Sequence, residues 1–407
     1  MKHEATKNPF NIIVIVAALG YFVDIYDLIL FSIVRVPSLK ALGVSTENLL
    51  TEGTKLINAQ MWGMLAGGLL WGIMGDKRGR VSVLFGSIIL YSVANIFNAY
   101  VTSIGMYKWM RFIAGVGLAG ELGAGITLVN ETMTKEHRGY GTMVVVAFGV
   151  LGAVLANIVA KFGWEQAYII GGIMGLALLV LRIGVYESGL YHSVKESKIS
   201  RGNFFMLFKN MDRFLRYLSC IALGVPIWYM IGILITFSPE FAKELGIENI
   251  QAGSAVMYFY LGTSFGDFMS GYLSQVFKTR KKILLAYLII SVVVIPFYLY
   301  SHGISPVMFY IICALLGIAS GYWAVFVTIA SEQFGTNLRS TVTTTVPNFV
   351  RGSLVLLTLL LEVLREKMGF DLVTSALFVG AIALLFAFLS LLGMYETYGK
   401  DLNYVED

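Results

Sequence analysis

Charge is scarce in this chain. Aspartate, glutamate, lysine and arginine make up 14% of its 407 residues, against about 25% in soluble domains, which excludes an ordinary water-soluble globule. There are only two cysteines. Cys220 and Cys313 both fall in apolar runs, which argues for reduced packing residues and against a disulfide or a metal pair. The four histidines are scattered, with no Cys/His ligand spacing, so no metal site is expected. No Gly-x-x-x-x-Gly-Lys-Ser/Thr loop occurs, and nothing indicates ATP hydrolysis as a driving force. No long polar stretch is left to house a catalytic domain. An enzyme and a bound cofactor are therefore not expected, and an ion gradient is the remaining energy source.

What the chain has is apolar length. Hydrophobic residues make up 57%, the mean hydropathy is +0.75, and 43 glycines and 27 phenylalanines suit tightly packed membrane helices. Windows of about 20 apolar residues predict twelve spans, at 10–36, 54–75, 82–102, 106–133, 138–161, 165–186, 213–237, 250–277, 283–302, 306–333, 341–364 and 371–394. The first run is too long for a cleavable signal peptide. The polar break before the seventh span divides the chain into residues 1–187, a linker at 188–212 and residues 213–407. The expected fold is all-α and integral to the membrane: twelve transmembrane helices as two six-helix bundles.

Lysine and arginine set the orientation. The turns at 76–80, 134–138 and 278–282 and the 188–212 linker fall on one side of this topology and hold most of the loop cations. The positive side is cytoplasmic, so both termini are expected inside, in a bacterial inner membrane. The net charge of +5 reads as orientation and gives no sign of nucleic-acid binding. The halves also echo each other. Gly72 to Arg80 after the second span matches Gly271 to Lys281 after the eighth, as parallel-repeat transporters show, with a substrate site near the midplane between halves.

Inside the first span, Asp24 and Asp27 are three residues apart and share a helix face. A carboxylate at a helix centre costs roughly 2.5–3.5 kcal/mol on insertion scales. The face is therefore expected to look into a water-filled cavity and to bind a proton, an ion or a substrate group; the alternative is a pair at the membrane boundary. Glu121, among closely spaced glycines in the fourth span, and Asp267 in the eighth are further proton-coupling candidates. Arg351 lies about ten residues into the eleventh span, where its planar fork suits a carboxylate or phosphate. The alternative is a structural ion pair with Asp267 or Glu332. Asn348, Trp228, Tyr229, Tyr322 and Trp323 complete the substrate-binding candidates, with packing as the alternative for the aromatics. Arg35 is expected to snorkel to the outer boundary.

Several motifs resemble the major facilitator superfamily over nearly the whole chain. Gly75-Asp76-Lys77-Arg78-Gly79-Arg80 resembles its cytoplasmic turn between the second and third helices. Arg111 to Glu121, Asn130-Glu131 and His137-Arg138-Gly139 resemble the fourth-helix pattern of its sugar-porter, phosphate:proton and metabolite:proton branches. Tyr186-Glu187-Ser188-Gly189 and Tyr395-Glu396-Thr397 resemble two of their downstream motifs, each with Tyr in place of Pro. The resemblance implies a cytoplasmic gate of Asp76, Arg78, Arg80, Arg111, Glu131 and Arg138. It also implies a monomeric secondary active transporter, most simply one importing a small polar metabolite with protons. An organic anion or phosphate is favoured over a zwitterion, cation or larger solute; efflux and a non-transporting membrane sensor are the competing readings.

Overall fold

A computed structural model describes residues 12–78, 80–121, 133, 138–187, 204–399 and 406, with the side chains of 13, 73, 75–82, 138–139, 184–187, 336 and 340 outside that description. The described residues form helices and turns without a strand. In chain order the helices are α1 (Ile12–Ala41), α2 (Leu49–Arg78), α3 (Arg80–Asn98), α4 (Ile104–Leu118), α5 (Arg138–Gly149), α6 (Gly152–Ala160) and α7 (Trp164–Glu187). They continue with α8 (Met211–Tyr229), the short α9 (Ser238–Glu244), α10 (Ala252–Val276), α11 (Lys281–Leu299), α12 (Pro306–Ser320), α13 (Trp323–Glu332), α14 (Thr336–Glu362) and α15 (Leu372–Gly393).

Eight described helical stretches are long and apolar enough to cross a membrane, and the chain is a multi-pass membrane protein. Helices α2, α3, α4 and α10 occupy the remaining expected positions, the fourth being described only as far as Glu121 and at Met133. Burial grades them. The most apolar window of the first span is 83% buried, whereas that of the sixth is 39% buried. So α1 is central, and α7 turns side chains such as Val180 and Leu181 outward. Outward apolar side chains need no other explanation where lipid is the solvent.

Close helix contact explains the glycines. A Cβ on Gly63 of α2 would run into the Phe112 carbonyl, and one on Gly115 of α4 into the Gln60 carbonyl. The second half repeats the arrangement: Gly262 of α10 faces the Ala314 carbonyl, and Gly317 of α12 the Phe259 carbonyl. Small residues let backbones approach where burial from water supplies no drive. The second and fourth spans are thus mated as the eighth and tenth are.

Among the described residues, four spans carry irregularities that bear on the site. The fifth breaks between α5 and α6, and the tenth at Gly321-Tyr322 between α12 and α13. The seventh passes from α8 into a π-helix, Met230–Ile235, just after Pro226. The eleventh carries Pro347 within α14 and ends in a π-turn, Val363–Lys367. Irregular backbone at membrane depth is tolerated where protein or a cavity satisfies it.

The first seven helices meet the later ones along α2 with α14, and along α5, α6 and α1 with α10. Both cysteines are buried and free.

Candidate functional site

All four of these irregular spans contribute to one cavity. Its wall takes Tyr21 and Ile25 from α1, Val150 from the α5–α6 break, and Trp228 and Ile231 from either side of the α8–π junction. Phe259, Tyr260 and Asp267 come from α10, Trp323 from the first residue of α13, and Arg351 from α14. Counted with its open side, the cavity has an empty volume of about 380 Å³. It lies between the two sets of helices, with five aromatic side chains, one cation and one carboxylate in the wall.

Arg351 is 1% exposed, and its Nη2 donates to Asp24 at a long 3.5 Å. Its guanidinium carbon stands 5.9 Å from the Trp323 ring centre. Nε and Nη1 of Arg351, Nε1 of Trp323 and Oδ1 of Asp24 are buried with no hydrogen-bond partner. Unpaired buried polar groups are costly, so this cluster is poised for a further polar group. The structural partner expected for Arg351 was Asp267 or Glu332. It is Asp24 instead, while Glu332 accepts from Arg280 at 3.5 Å and from Thr397 at 2.8 Å.

Asp267 is fully buried one helix away. Its Oδ1 accepts the Ala324 amide at 3.0 Å, at the start of α13, and its Oδ2 has no partner. The break in the tenth span exposes the first amides of α13, and Asp267 reaches across from α10 to take one of them.

The acids of the first and fourth spans have different partners. Asp24 meets the cavity through Arg351. Asp27 turns into the first set of helices, beside Asn95 and within electrostatic reach of Arg111. Glu121 is held by both terminal nitrogens of Arg182, with Nη1 to Oε2 at 3.0 Å. Gly20 lies against that pair, where a Cβ would collide with it. Arg182, a cation near the end of an apolar run, was not anticipated; its presence in that run was the available signal. Tyr21 and Tyr260, also in the wall, had no signal beyond being aromatic.

The neighbours of the cavity aromatics point elsewhere. The Tyr229 hydroxyl donates to the Ala376 carbonyl at 2.7 Å, and that of Tyr322 to the Leu223 carbonyl at 3.1 Å. Neither ring lines the cavity. Asn348 spends its amide on the Ala119 carbonyl at 2.8 Å and the Thr344 carbonyl at 2.9 Å, joining α14 to the end of α4.

Arg111, grouped by resemblance with the cytoplasmic gate, is fully buried about two turns into α4, at the end remote from the 76–80 turn. It bonds Gln60 and faces the Phe31 and Tyr168 rings. The gate residues Asp76, Arg78, Arg80, Glu131 and Arg138 lie outside the described side chains. Arg35 does not snorkel. It is fully buried, bonded to both oxygens of Glu240 at 2.7 and 2.8 Å and to the Leu49 and Thr236 carbonyls. That bridge, with Thr236 to Ser32 at 3.0 Å and Thr358 to Asn58 at 2.9 Å, joins the two halves on the side away from the 76–80 turn.

Comparison with known proteins agrees with this architecture. A niacin/nicotinamide transporter, provisionally so named, of Bacillus subtilis (strain 168) is 27% identical over 349 residues, covering 83% of this chain and 84% of its own length. A 3-(3-hydroxy-phenyl)propionate transporter of Escherichia coli (strain K12) is 26% identical over 237 residues, covering 57% of this chain and 58% of its own. The crystal structure of a D-xylose–proton symporter superposes with a TM-score of 0.70 at 16% identity, over 96% of this chain and 99% of that one. At that identity the likeness is one of fold. The family model for the Major Facilitator Superfamily matches residues 17–350, and the chain belongs to that superfamily of membrane transporters, not enzymes.

Proposed function

We propose that this protein is a proton-coupled importer of a small aromatic monocarboxylate, working by alternating access in a bacterial inner membrane with both termini cytoplasmic. The observation that carries the reading is Arg351, a buried guanidinium with two unpartnered nitrogens in the wall of an aromatic cavity. A carboxylate is a planar partner for its fork, and Trp228, Trp323 and Phe259 offer flat surfaces for a ring. Trp323 Nε1 supplies a second donor. Niacin and 3-(3-hydroxyphenyl)propionate, in the names of the two relatives, are both aromatic rings bearing a carboxylate.

Coupling follows from competition. Asp24 holds Nη2 of Arg351 through one long bond. A proton on Asp24 removes that claim and leaves the guanidinium to the incoming anion, so one anion and one proton enter with no net charge. Asp27, buried three residues further along α1, relays that same proton. Glu121, tied to Arg182, positions α1 through the contact at Gly20. Residues 1–187 and 213–407 then rock about the site, with the Arg35–Glu240 bridge closing the outer side. Binding drives the cycle only insofar as it favours the occluded state.

The test is uptake of labelled 3-(3-hydroxyphenyl)propionate into proteoliposomes, with the flux of protein-free vesicles subtracted. Asp24→Asn is expected to retain exchange of labelled for unlabelled substrate while losing accumulation under an acid-outside gradient. Wild-type accumulation by Asp24→Asn would remove its proton role.

A further inference from the structure

The cavity wall has a second charged group that the carboxylate reading leaves unused. Asp267 is 0% exposed and belongs to the same wall as Arg351. Its two oxygens have different fates. Oδ1 is committed to the Ala324 amide at 3.0 Å, which fixes the carboxyl at the start of α13. Oδ2 has no partner although it is buried. A carboxylate clamped through one oxygen presents the other in a fixed direction, which is how a pocket reads orientation. Arg351 meanwhile has a partner of its own in Asp24, so Asp267 is not there to neutralise it.

We infer that Asp267 is a specificity-determining residue: its free Oδ2 accepts a hydrogen bond from a donor on the substrate ring, such as a hydroxyl or amino group, while Arg351 holds the carboxylate. The substrate class is thereby narrowed to aromatic carboxylates that carry a ring donor. This rests on the aromatic-carboxylate reading above. A site built to bond a donor discriminates against an analogue that lacks it, because the buried acceptor is then left unpaired. A methyl group in place of an amino group keeps the size and removes the donor.

The experiment measures the affinity of the purified full-length protein for benzoate, 3- and 4-aminobenzoate, and 3- and 4-methylbenzoate, by thermal shift and by displacement of labelled benzoate. In the wild type, the aminobenzoate of at least one ring position is expected to bind about tenfold tighter than the methylbenzoate of the same position. In Asp267→Asn, which keeps an oxygen for the Ala324 amide but offers an amide donor in place of Oδ2, that ratio falls to about one or below. The wild-type ratio stands alone if the variant does not fold. Equal binding of matched amino and methyl probes by the wild type would overturn the inference, as would an unchanged preference in folded Asp267→Asn. Arg351→Lys separates the two readings. Loss of all probes in that variant, together with equal amino and methyl binding in the wild type, removes the Asp267 role and leaves the carboxylate site standing. No binding of any probe by the wild type removes both.

Discussion

The buried charges are the most informative residues. Glu121 and Arg182 hold each other inside the first set of helices with almost no exposure, and removing one partner breaks a buried two-point ion pair. Glu121→Gln or Arg182→Gln is expected to cost about 3–5 kcal/mol. The double change Glu121→Gln/Arg182→Met should recover much of the loss, as read by thermal unfolding in detergent. Independent, additive losses would mean that the pair is not an energetic unit. Arg351 was legible in the sequence because a cation at mid-span requires a reason; Trp228 and Trp323 stood out only by following Pro226 and Gly321. Tyr229 and Tyr322 each stand one residue from a cavity residue yet face away. Successive residues on a helix are about 100° apart, and the rotation of each helix is set by packing that the sequence does not display. Arg182 was missed for the same reason: its pairing with Glu121 crosses between helices and leaves no spacing to detect.

Among the elements, the paired glycine contacts carry the clearest expectation. Gly63→Ala and Gly262→Ala each place a methyl group against a neighbouring helix's carbonyl and should destabilise by about 1–3 kcal/mol. A neutral melting temperature in either variant would show that the helices can separate freely. At the tail, the Glu396 carboxylate caps the start of α11. It accepts from the Thr279 hydroxyl at 2.6 Å and from the Arg280 and Lys281 amides at 3.0 and 3.1 Å. Burial on its own would raise this carboxyl, but those bonds and the Tyr398 amide hold it below its ordinary value. A lowered carboxyl stabilises the fold above its unfolded value of about 4.3 and loses that contribution as pH falls through the lower folded value. The melting-temperature gap between wild type and Glu396→Gln should therefore be steady from pH 7 to about 5 and close in stronger acid. A gap that widens on acidification would contradict the capping account. The Tyr395-Glu396-Thr397 motif was visible in the sequence; that its carboxylate caps a helix more than a hundred residues earlier was not. The helix positions themselves were legible from apolar length. The breaks at 150–151 and 321–322 were not, because each occurs inside an unbroken apolar run.

At the scale of the whole molecule, the two halves touch on the outer side through Arg35–Glu240, Ser32–Thr236 and Asn58–Thr358. Opening outward must break all three. A disulfide between Asn58→Cys and Thr358→Cys should block uptake when oxidised and release it on reduction. Cys220 and Cys313 are buried and should not interfere. Undiminished uptake by the oxidised double variant would mean that the cycle does not separate this contact. The all-α membrane fold was readable from apolar length, and a cavity between the two sets of helices from the echoed turns. The closure was not, since Arg35 near the end of an apolar run looks the same whether it snorkels or bridges. The account as a whole rests on Arg351 binding the substrate anion in a proton-driven cycle. Its most direct test is accumulation of labelled 3-(3-hydroxyphenyl)propionate in proteoliposomes under an acid-outside gradient, comparing wild type with Arg351→Lys, which keeps the charge and loses the fork. The account predicts accumulation by the wild type that a protonophore abolishes, and none by a folded Arg351→Lys. Equal accumulation by both proteins, or wild-type accumulation indifferent to the gradient, would contradict it.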